Sequence, residues 1–318
     1  MKIPKKLIAA FRREQCFLLA SHIGPDGDAI GSCLALGEAL ESLGKTVFIF
    51  DRDPVPEYHR FMPGQRKFRS SLGRIPSKNP VMVLLDCNSP ERAALDGHVF
   101  RKTVVIDHHE TESDFGDIRW VERTAPATGL MVFNLIKALK VPLTRAMATN
   151  LYTAIAVDTG TFRYSNTGPD VLRAGAELVE AGARPGTIAE HLYERWKKKR
   201  FDLLTLSLGT LEIHDGVAII HVTREMLERT GTVEADTEYF ANLPRIIDSV
   251  IISALIRETG DGRWKVSMRS KGKANVAEIA AAHGGGGHRN AAGFRVSADL
   301  ASVKKELLRS ALPILRKS

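Results

Sequence analysis

Residues 16–50 read CFLLASHIGPDGDAIGSCLALGEALESLGKTVFIF. The stretch opens on an unbroken apolar run, Cys16–Ala20, and closes on another at 47–50. Between them, residues 29–43 carry apolar side chains at helical spacing, and Gly44 stops the helix. Strand, helix, strand in this order predicts an α/β layer fold. Runs without polar alternation predict a parallel sheet covered on both faces. Val81–Leu85 and residues 103–106 extend that sheet, and residues 127–140, 144–157 and 169–181 follow as three helices.

The texture then changes. Residues 187–208 predict one long helix carrying the basic run Arg195-Trp196-Lys197-Lys198-Lys199-Arg200. The run reads as the solvated face of a connecting helix, with a contact for nucleic-acid phosphate as the alternative. Residues 216–222, 250–256 and 264–268 read as strands and Val276–Ala282 as a helix. Leu300–Leu315 reads as a terminal helix open to interruption at Pro313. With the boundary inside the long helix, the chain divides into domains 1–190 and 191–318.

A length of 318 residues suits two such domains, and 44% hydrophobic with 26% charged residues excludes wholesale disorder. The net charge of +8 favours polyanionic partners, though weakly. Cys16, Cys33 and Cys87 form no CxxC pair, which excludes a disulfide framework and a cysteine-only zinc site. No apolar run is long enough for a membrane span, and the stretch after MKIPKK is too short for a signal-peptide core. The expected setting is a reducing, cytoplasmic one without membrane.

Four clusters gather where strands or helices end, the edge at which open α/β sheets bind ligands. His22-x3-Asp26-x-Asp28 places an imidazole and two carboxylates in one tight turn. Carboxylates that close repel unless a cation lies between them; the plainer reading is an Asp-Gly turn with Asp28 as a helix N-cap. Asp86 ends the apolar run VMVLLD, and Cys87 should point to the opposite face. Asp107-His108-His109 end TVVIDHH, three titratable groups in succession after a buried strand. Asp158 ends an apolar helix, where a carboxylate opposes the macrodipole and asks for a compensating cation. Together, four carboxylates with His22 and His108 would neutralise two divalent cations, and oxygen and imidazole donors without thiolate suit Mn²⁺ or Mg²⁺. Two such metals are the usual apparatus for displacement at phosphorus.

A second group of residues suits an anion. Gly284–Gly287 (including Gly285, Gly286 and Gly287) allow backbone N–H groups to close on a phosphate, with His288 as a further donor and Arg269, Lys271 and Lys273 supplying charge. Asn275 reads first as the N-cap of the helix at Val276–Ala282, with ligand contact as a second role. Arg163, past Asp158, either reaches a phosphate or is simply exposed.

The ordered set HIGPDGDAIGS, LLD, IDHH and AVDTGTFR resembles the motifs of the DHH phosphoesterase superfamily. The segment MRSKGKANVAEIAAAHGGGGHRNAAGF is similar to part of its DHH-associated domain. The overall length resembles the stand-alone nanoRNase/pAp phosphatase group. The resemblance implies an N-terminal parallel-sheet domain joined by a long helix to a smaller α/β domain. It further implies one metal, expected to be Mn²⁺, on His22, Asp26 and Asp86, and a second on Asp28, Asp86, His108 and Asp158. His109 would face the substrate phosphate, and Asp107 would orient a ligand imidazole.

The expected function is a two-metal phosphoesterase for short RNA or DNA oligonucleotides and 3′-phosphoadenosine 5′-phosphate. Cyclic or linear dinucleotide hydrolysis is an alternative of the same class, and a non-catalytic nucleic-acid-binding module an alternative of another. A homodimer is left open by the sequence.

Overall fold

The structure, a computed structural model, describes residues 1–73, 80–109, 113–260 and 262–315. It separates into two compact units, Met1–Arg195 and Trp196–Ser318.

The first unit runs α1 (Lys5–Arg13), β1 (Cys16–Ala20), α2 (Gly27–Ser42), β2 (Thr46–Phe50), β3 (Phe68–Arg69), β4 (Val81–Leu85), β5 (Lys102–Asp107), β6 (Ile118–Val121), α3 (Thr128–Leu139), α4 (Arg145–Asp158), α5 (Pro169–Glu180) and α6 (Pro185–Ala189). Its six strands form one sheet in the order β3-β2-β1-β4-β5-β6, with every adjacent pair parallel. The order reverses between β1 and β4, and a crevice at such a switch point is where this class of sheet binds ligands. Every residue of β1 and β4 is buried. Phe17, Leu19, Val81, Val83 and Leu85 join a large core with residues of α1 to α5. The alternate residues Leu18, Ala20, Met82 and Leu84 join a smaller cluster with Ala93, Leu95 and the partly buried Phe100 and Phe115. Cover on both faces explains why these strands read as continuous apolar runs.

The second unit runs α7 (Lys198–Leu208), β7 (Glu212–His214), β8 (Val217–Val222), α8 (Arg224–Thr230), β9 (Ile252–Glu258), β10 (Trp264–Ser270), α9 (Val276–Ala282), β11 (Gly286–His288), β12 (Ala291–Val296) and α10 (Leu300–Leu315). Its strand order is β11-β12-β10-β9-β8-β7. Only the β8–β9 pair is parallel, so the sheet is mixed. Helix α10 continues through Pro313, which lies in its last turn, where a missing N–H removes one bond rather than interrupting a long ladder. Among the described residues no helix is long and apolar enough to cross a membrane.

The expected long helix at 187–208 is not continuous. α6 passes into a π-helical turn at Glu190–Glu194, Lys197 is extended, and α7 starts at Lys198. Tertiary packing overrides the helical pattern here. Trp196 packs against a core formed by Leu203, Leu204, Ile220 and Phe240. Arg200 lies over the Trp196 ring, 3.8 Å from its centroid. It also donates to the carbonyls of Asp236 at 3.0 Å and Glu238 at 2.8 Å. Lys199 donates to the Gly231 carbonyl, Lys198 pairs with Asp202, and Arg195 pairs with Glu190. The basic run is therefore engaged largely with its own surroundings, and Arg200 is buried.

Candidate metal centre

The turn between β1 and α2 begins the site. Asp26 is the N-cap of α2: its Oδ1 accepts from the amides of Asp28 and Ala29, each at 3.0 Å. The plainer sequence reading gave that role to Asp28. Asp28 lies instead inside the first turn, fully buried. Its two oxygens accept from the amides of Thr128 and Gly129, each at 2.7 Å. These are the first N–H groups of α3, whose own N-cap, Ala127, has no side chain to offer. A carboxylate there is favoured by the helix dipole and satisfies donors that would otherwise be orphaned.

Asp86 follows β4 in a left-handed backbone conformation, φ 57°. Asp and Asn tolerate that region better than other side chains. The turn makes the carboxylate face two ways. Oδ2 lies 3.5 Å from His22 Nε2, while Oδ1 lies 3.2 Å from His108 Nε2 and accepts from the Thr128 hydroxyl at 3.1 Å. Cys87 is buried, and its thiol approaches the Ser89 carbonyl at 3.3 Å.

His108 is buried beyond β5, and its Nδ1 bonds the Ala125 carbonyl at 3.0 Å. That bond aims Nε2 at Asp158 Oδ2, 3.2 Å away, and Asp28 Oδ2, 3.6 Å away. Asp158 is the last residue of α4; its own carbonyl accepts from Asn166 at 3.1 Å. Asp107 Oδ1 accepts from His109 Nδ1 at 2.7 Å and from the amides of His108 and His109. Asp107 thus holds His109. The expectation that it would orient a ligand imidazole is corrected: the Ala125 carbonyl holds His108.

Ligand atoms of His22, Asp26 and Asp86 lie within 4.8 Å of one another, as do those of Asp28, His108 and Asp158. Asp86 stands between the two groups. Asp86, Asp107 and His109 meet the same distance criterion, but His109 Nδ1 is taken up by Asp107.

Electrostatics follow the crowding. Burial, reinforced by the charges of Asp86 and Asp158, pushes Asp26 up to about 6 and Asp28 well above the usual carboxylate range. Burial opposes ionisation of Asp86 as well, but hydrogen bonds from His108 and His22 hold it well below that range. Burial also opposes protonation of His22, yet Asp86 and Asp26 raise it to about 9; Asp158 and Asp86 likewise raise His108. The surplus of negative charge draws protons onto the imidazoles, where a cation would otherwise stand.

These residues fit divalent cations: the donors are carboxylate oxygens and imidazole nitrogens, without thiolate, and they converge around one doubly facing carboxylate. Sequence reasoning missed Thr128, Gly129 and the Ala125 carbonyl. No local signal marks them, because the groups they serve lie far away in the chain.

The second unit places the anion-directed residues on and beside its sheet. Gly286, Gly287 and His288 form edge strand β11, paired antiparallel with β12. The expected open glycine loop is thus partly strand. A Cβ on Gly285 would stand 2.2 Å from the Gly293 carbonyl oxygen, so close backbone packing demands glycine there. Arg269, on β10, donates to the Met268 carbonyl at 3.0 Å. Lys271 donates to the Ile247 carbonyl at 2.8 Å. Asn275 caps α9 through the Ala277 amide at 3.1 Å. Arg163, in the first unit, is exposed, and its Nε donates back to the Gly160 carbonyl at 2.6 Å.

A parallel sheet with two acid–imidazole groups at its switch point defines a metal-dependent phosphoesterase. The chain belongs to the DHH family: the model of the DHH family N-terminal domain matches residues 17–155, and that of the DHHA1 domain matches residues 233–316. It is 37% identical to the bifunctional oligoribonuclease and PAP phosphatase NrnA of Thermus thermophilus, over 86% of this chain and 82% of that protein. It is 26% identical to NrnA of Bacillus subtilis, over 95% and 98% of the two chains. The crystal structure of an exopolyphosphatase-related protein from Bacteroides fragilis superimposes with a TM-score of 0.86 at 26% identity, covering 97% of this chain and 95% of that one.

Proposed function

We propose that the protein is a two-metal phosphoesterase whose substrates are short oligoribonucleotides and 3′-phosphoadenosine 5′-phosphate, with Mn²⁺ as the metal. The observation that carries the reading is Asp86, with one carboxylate oxygen toward His22 and the other toward His108. Hard oxygen and imidazole donors favour Mn²⁺ or Mg²⁺. Similarity to NrnA proteins spans both units, which supports the substrate class.

His22, Asp26 and Asp86 would hold one cation, and Asp28, Asp86, His108 and Asp158 the other. When bound, such a pair supplies Lewis-acid polarisation at phosphorus and acidifies water. The chain's own residues do the rest. Asp28 is fixed by two amides and cannot swing away. His109, held by Asp107, presents an imidazole to a phosphate oxygen and stabilises charge developing there. In the second unit, Arg269, Asn275, His288 and the Gly285–Gly286–Gly287 backbone are assigned to the non-reacting part of the nucleotide, and Arg163 to a phosphate. The binding-module alternative loses support, since the basic run that suggested it is engaged in structural contacts.

The test compares kcat/KM with Mn²⁺ for 3′-phosphoadenosine 5′-phosphate and for RNAs of two, five and 24 nucleotides at fixed salt, because phosphate contacts are salt-dependent. Efficiency should be highest on the shortest RNAs. Equal or better efficiency on the 24-mer would reject the short-substrate reading.

A further inference from the structure

We infer that the first unit carries a second nucleotide site, for a nucleoside monophosphate, in the cavity between the start of α4 and α6. The cavity has a volume of about 400 Å³ and is lined by Phe61, Arg145, Thr149, Arg184, Thr187 and His191, among others. That volume lies within the range of small-ligand pockets and admits a mononucleotide rather than a longer strand. It stands at the opposite end of α4 from Asp158. With 14 residues in that helix, Arg145 lies about 20 Å from Asp158 along the axis at 1.5 Å per residue. Neither metal-binding group contributes to it.

Charge defines the ligand's anionic end. Arg145 and Arg184 both line the cavity, and among the described residues no Asp or Glu does. Among the described residues neither guanidinium has an ion-pair or hydrogen-bond partner, whereas Arg195, Arg200 and Lys198 nearby in sequence are all engaged. An Arg at the first position of a helix is also opposed by the macrodipole, and an anion would relieve both. The aliphatic part of Arg145 is backed by Gly182, whose backbone would bring a Cβ to 3.1 Å from it. Two planar forks without carboxylates are suited to phosphate oxygens.

The cavity also has an aromatic lining. His191 stacks on Phe61 with ring centroids 4.4 Å apart and planes 7° apart. Burial, then the neighbouring Arg195, lowers the His191 pKa, which favours the uncharged ring and its flat face over a third charge. A purine or pyrimidine extends such a stack. Thr149 and Thr187 line the same cavity and offer hydroxyl oxygens to a ribose; the Thr149 hydroxyl itself donates to the Arg145 carbonyl at 2.9 Å. Free phosphate would use only the arginines, and an apolar ligand would use neither them nor the hydroxyls.

The test is photolabelling of the full chain with 8-azidoadenosine 5′-monophosphate in chelator, followed by peptide mapping, with AMP, adenosine and inorganic phosphate as competitors. Label is expected in peptides containing Phe61, Arg145 or His191. It should persist in Asp86→Asn and be protected by AMP at concentrations about 10-fold lower than by adenosine or phosphate. Arg145→Ala/Arg184→Ala should weaken AMP binding about 100-fold. Both side chains are exposed, so the fold should be retained, and matched melting curves check it. His191→Ala provides an independent variant and should lower protection by AMP but not by inorganic phosphate. Label confined to other peptides, cavity labelling that survives the double substitution, or phosphate protecting as well as AMP would each overturn the inference. Because the metals are chelated throughout, its failure is distinct from failure of the hydrolytic reading.

Discussion

The Asp28 carboxylate accepts a hydrogen bond from the Gly129 amide at 2.7 Å, so a residue of α2 caps the start of α3. The same contact fixes a candidate metal ligand from behind. Stability of the fold and position of the ligand are therefore coupled at this point.

Gly129→Ala tests the coupling. An added Cβ would stand 2.6 Å from the Ala154 Cβ and 3.1 Å from Asp28 Oδ1. Overpacking of this kind costs about 1–3 kcal/mol. The variant should melt earlier and bind metal more weakly, by calorimetry and metal analysis of the same sample. Wild-type values in both would sever the link between α3 and the ligand.

Asp86→Asn should leave a folded protein without its full metal content and with turnover reduced by at least about 10³-fold, the scale of a lost charge-stabilising group. Asn keeps the left-handed backbone that Asp86 adopts, whereas Ala there adds about 1–2 kcal/mol of strain. Asp86→Asn should accordingly be the more stable of the two variants. Two bound metals with near-normal turnover would refute the bridging assignment.

Arg200→Ala should destabilise the second unit by about 2–4 kcal/mol, from a lost cation–π contact and two charge-assisted hydrogen bonds. Lys198→Ala, which removes one exposed ion pair, should fall within about 1 kcal/mol of wild type. Denaturant unfolding separates them. Equal effects would mean that the run acts as a surface patch after all.

Asp51, which is not itself a candidate ligand, supplies a pH prediction, tested on metal-free protein. It is 1% exposed, accepts from the Ser21 hydroxyl and the Asp53 amide, and burial pushes its pKa up to about 6. A carboxyl raised in the folded state stabilises the fold fully below its unfolded pKa, and this is lost as pH rises through about 6. Asp51→Asn should gain up to about 3 kcal/mol over wild type at pH 8, roughly halved at pH 5. A gain independent of pH would show that the buried charge is not its source.

Much of this was legible in the sequence, for identifiable reasons. β1, β4 and β5 read as strands because their apolar runs are covered on both faces, and the carboxylates and imidazoles of the site follow directly in the chain. β3, only Phe68–Arg69, and β6, Ile118–Val121, lie at the sheet edges, and neither has the apolar continuity of an inner strand. β11 was hidden because glycine signals a loop, whereas here it permits backbone contact. The break before α7 was invisible because Trp196 is drawn into a core built from residues later in the chain. The support of His108 by a backbone carbonyl leaves no trace in any side chain.

The reversal of strand order between β1 and β4 has a consequence for the newly made chain. The groups that would hold the two cations come from His22 at one extreme to Asp158 at the other, and β4, made after β2 and β3, returns to pair with β1 on its other side. Until the ribosome has released α4, an emerging chain can present His22, Asp26 and Asp86 but not the complete set. On the proposed ligand sets, loading of the second cation would be deferred until α4 has been made, so that full metal occupancy would certify completed assembly of the first unit.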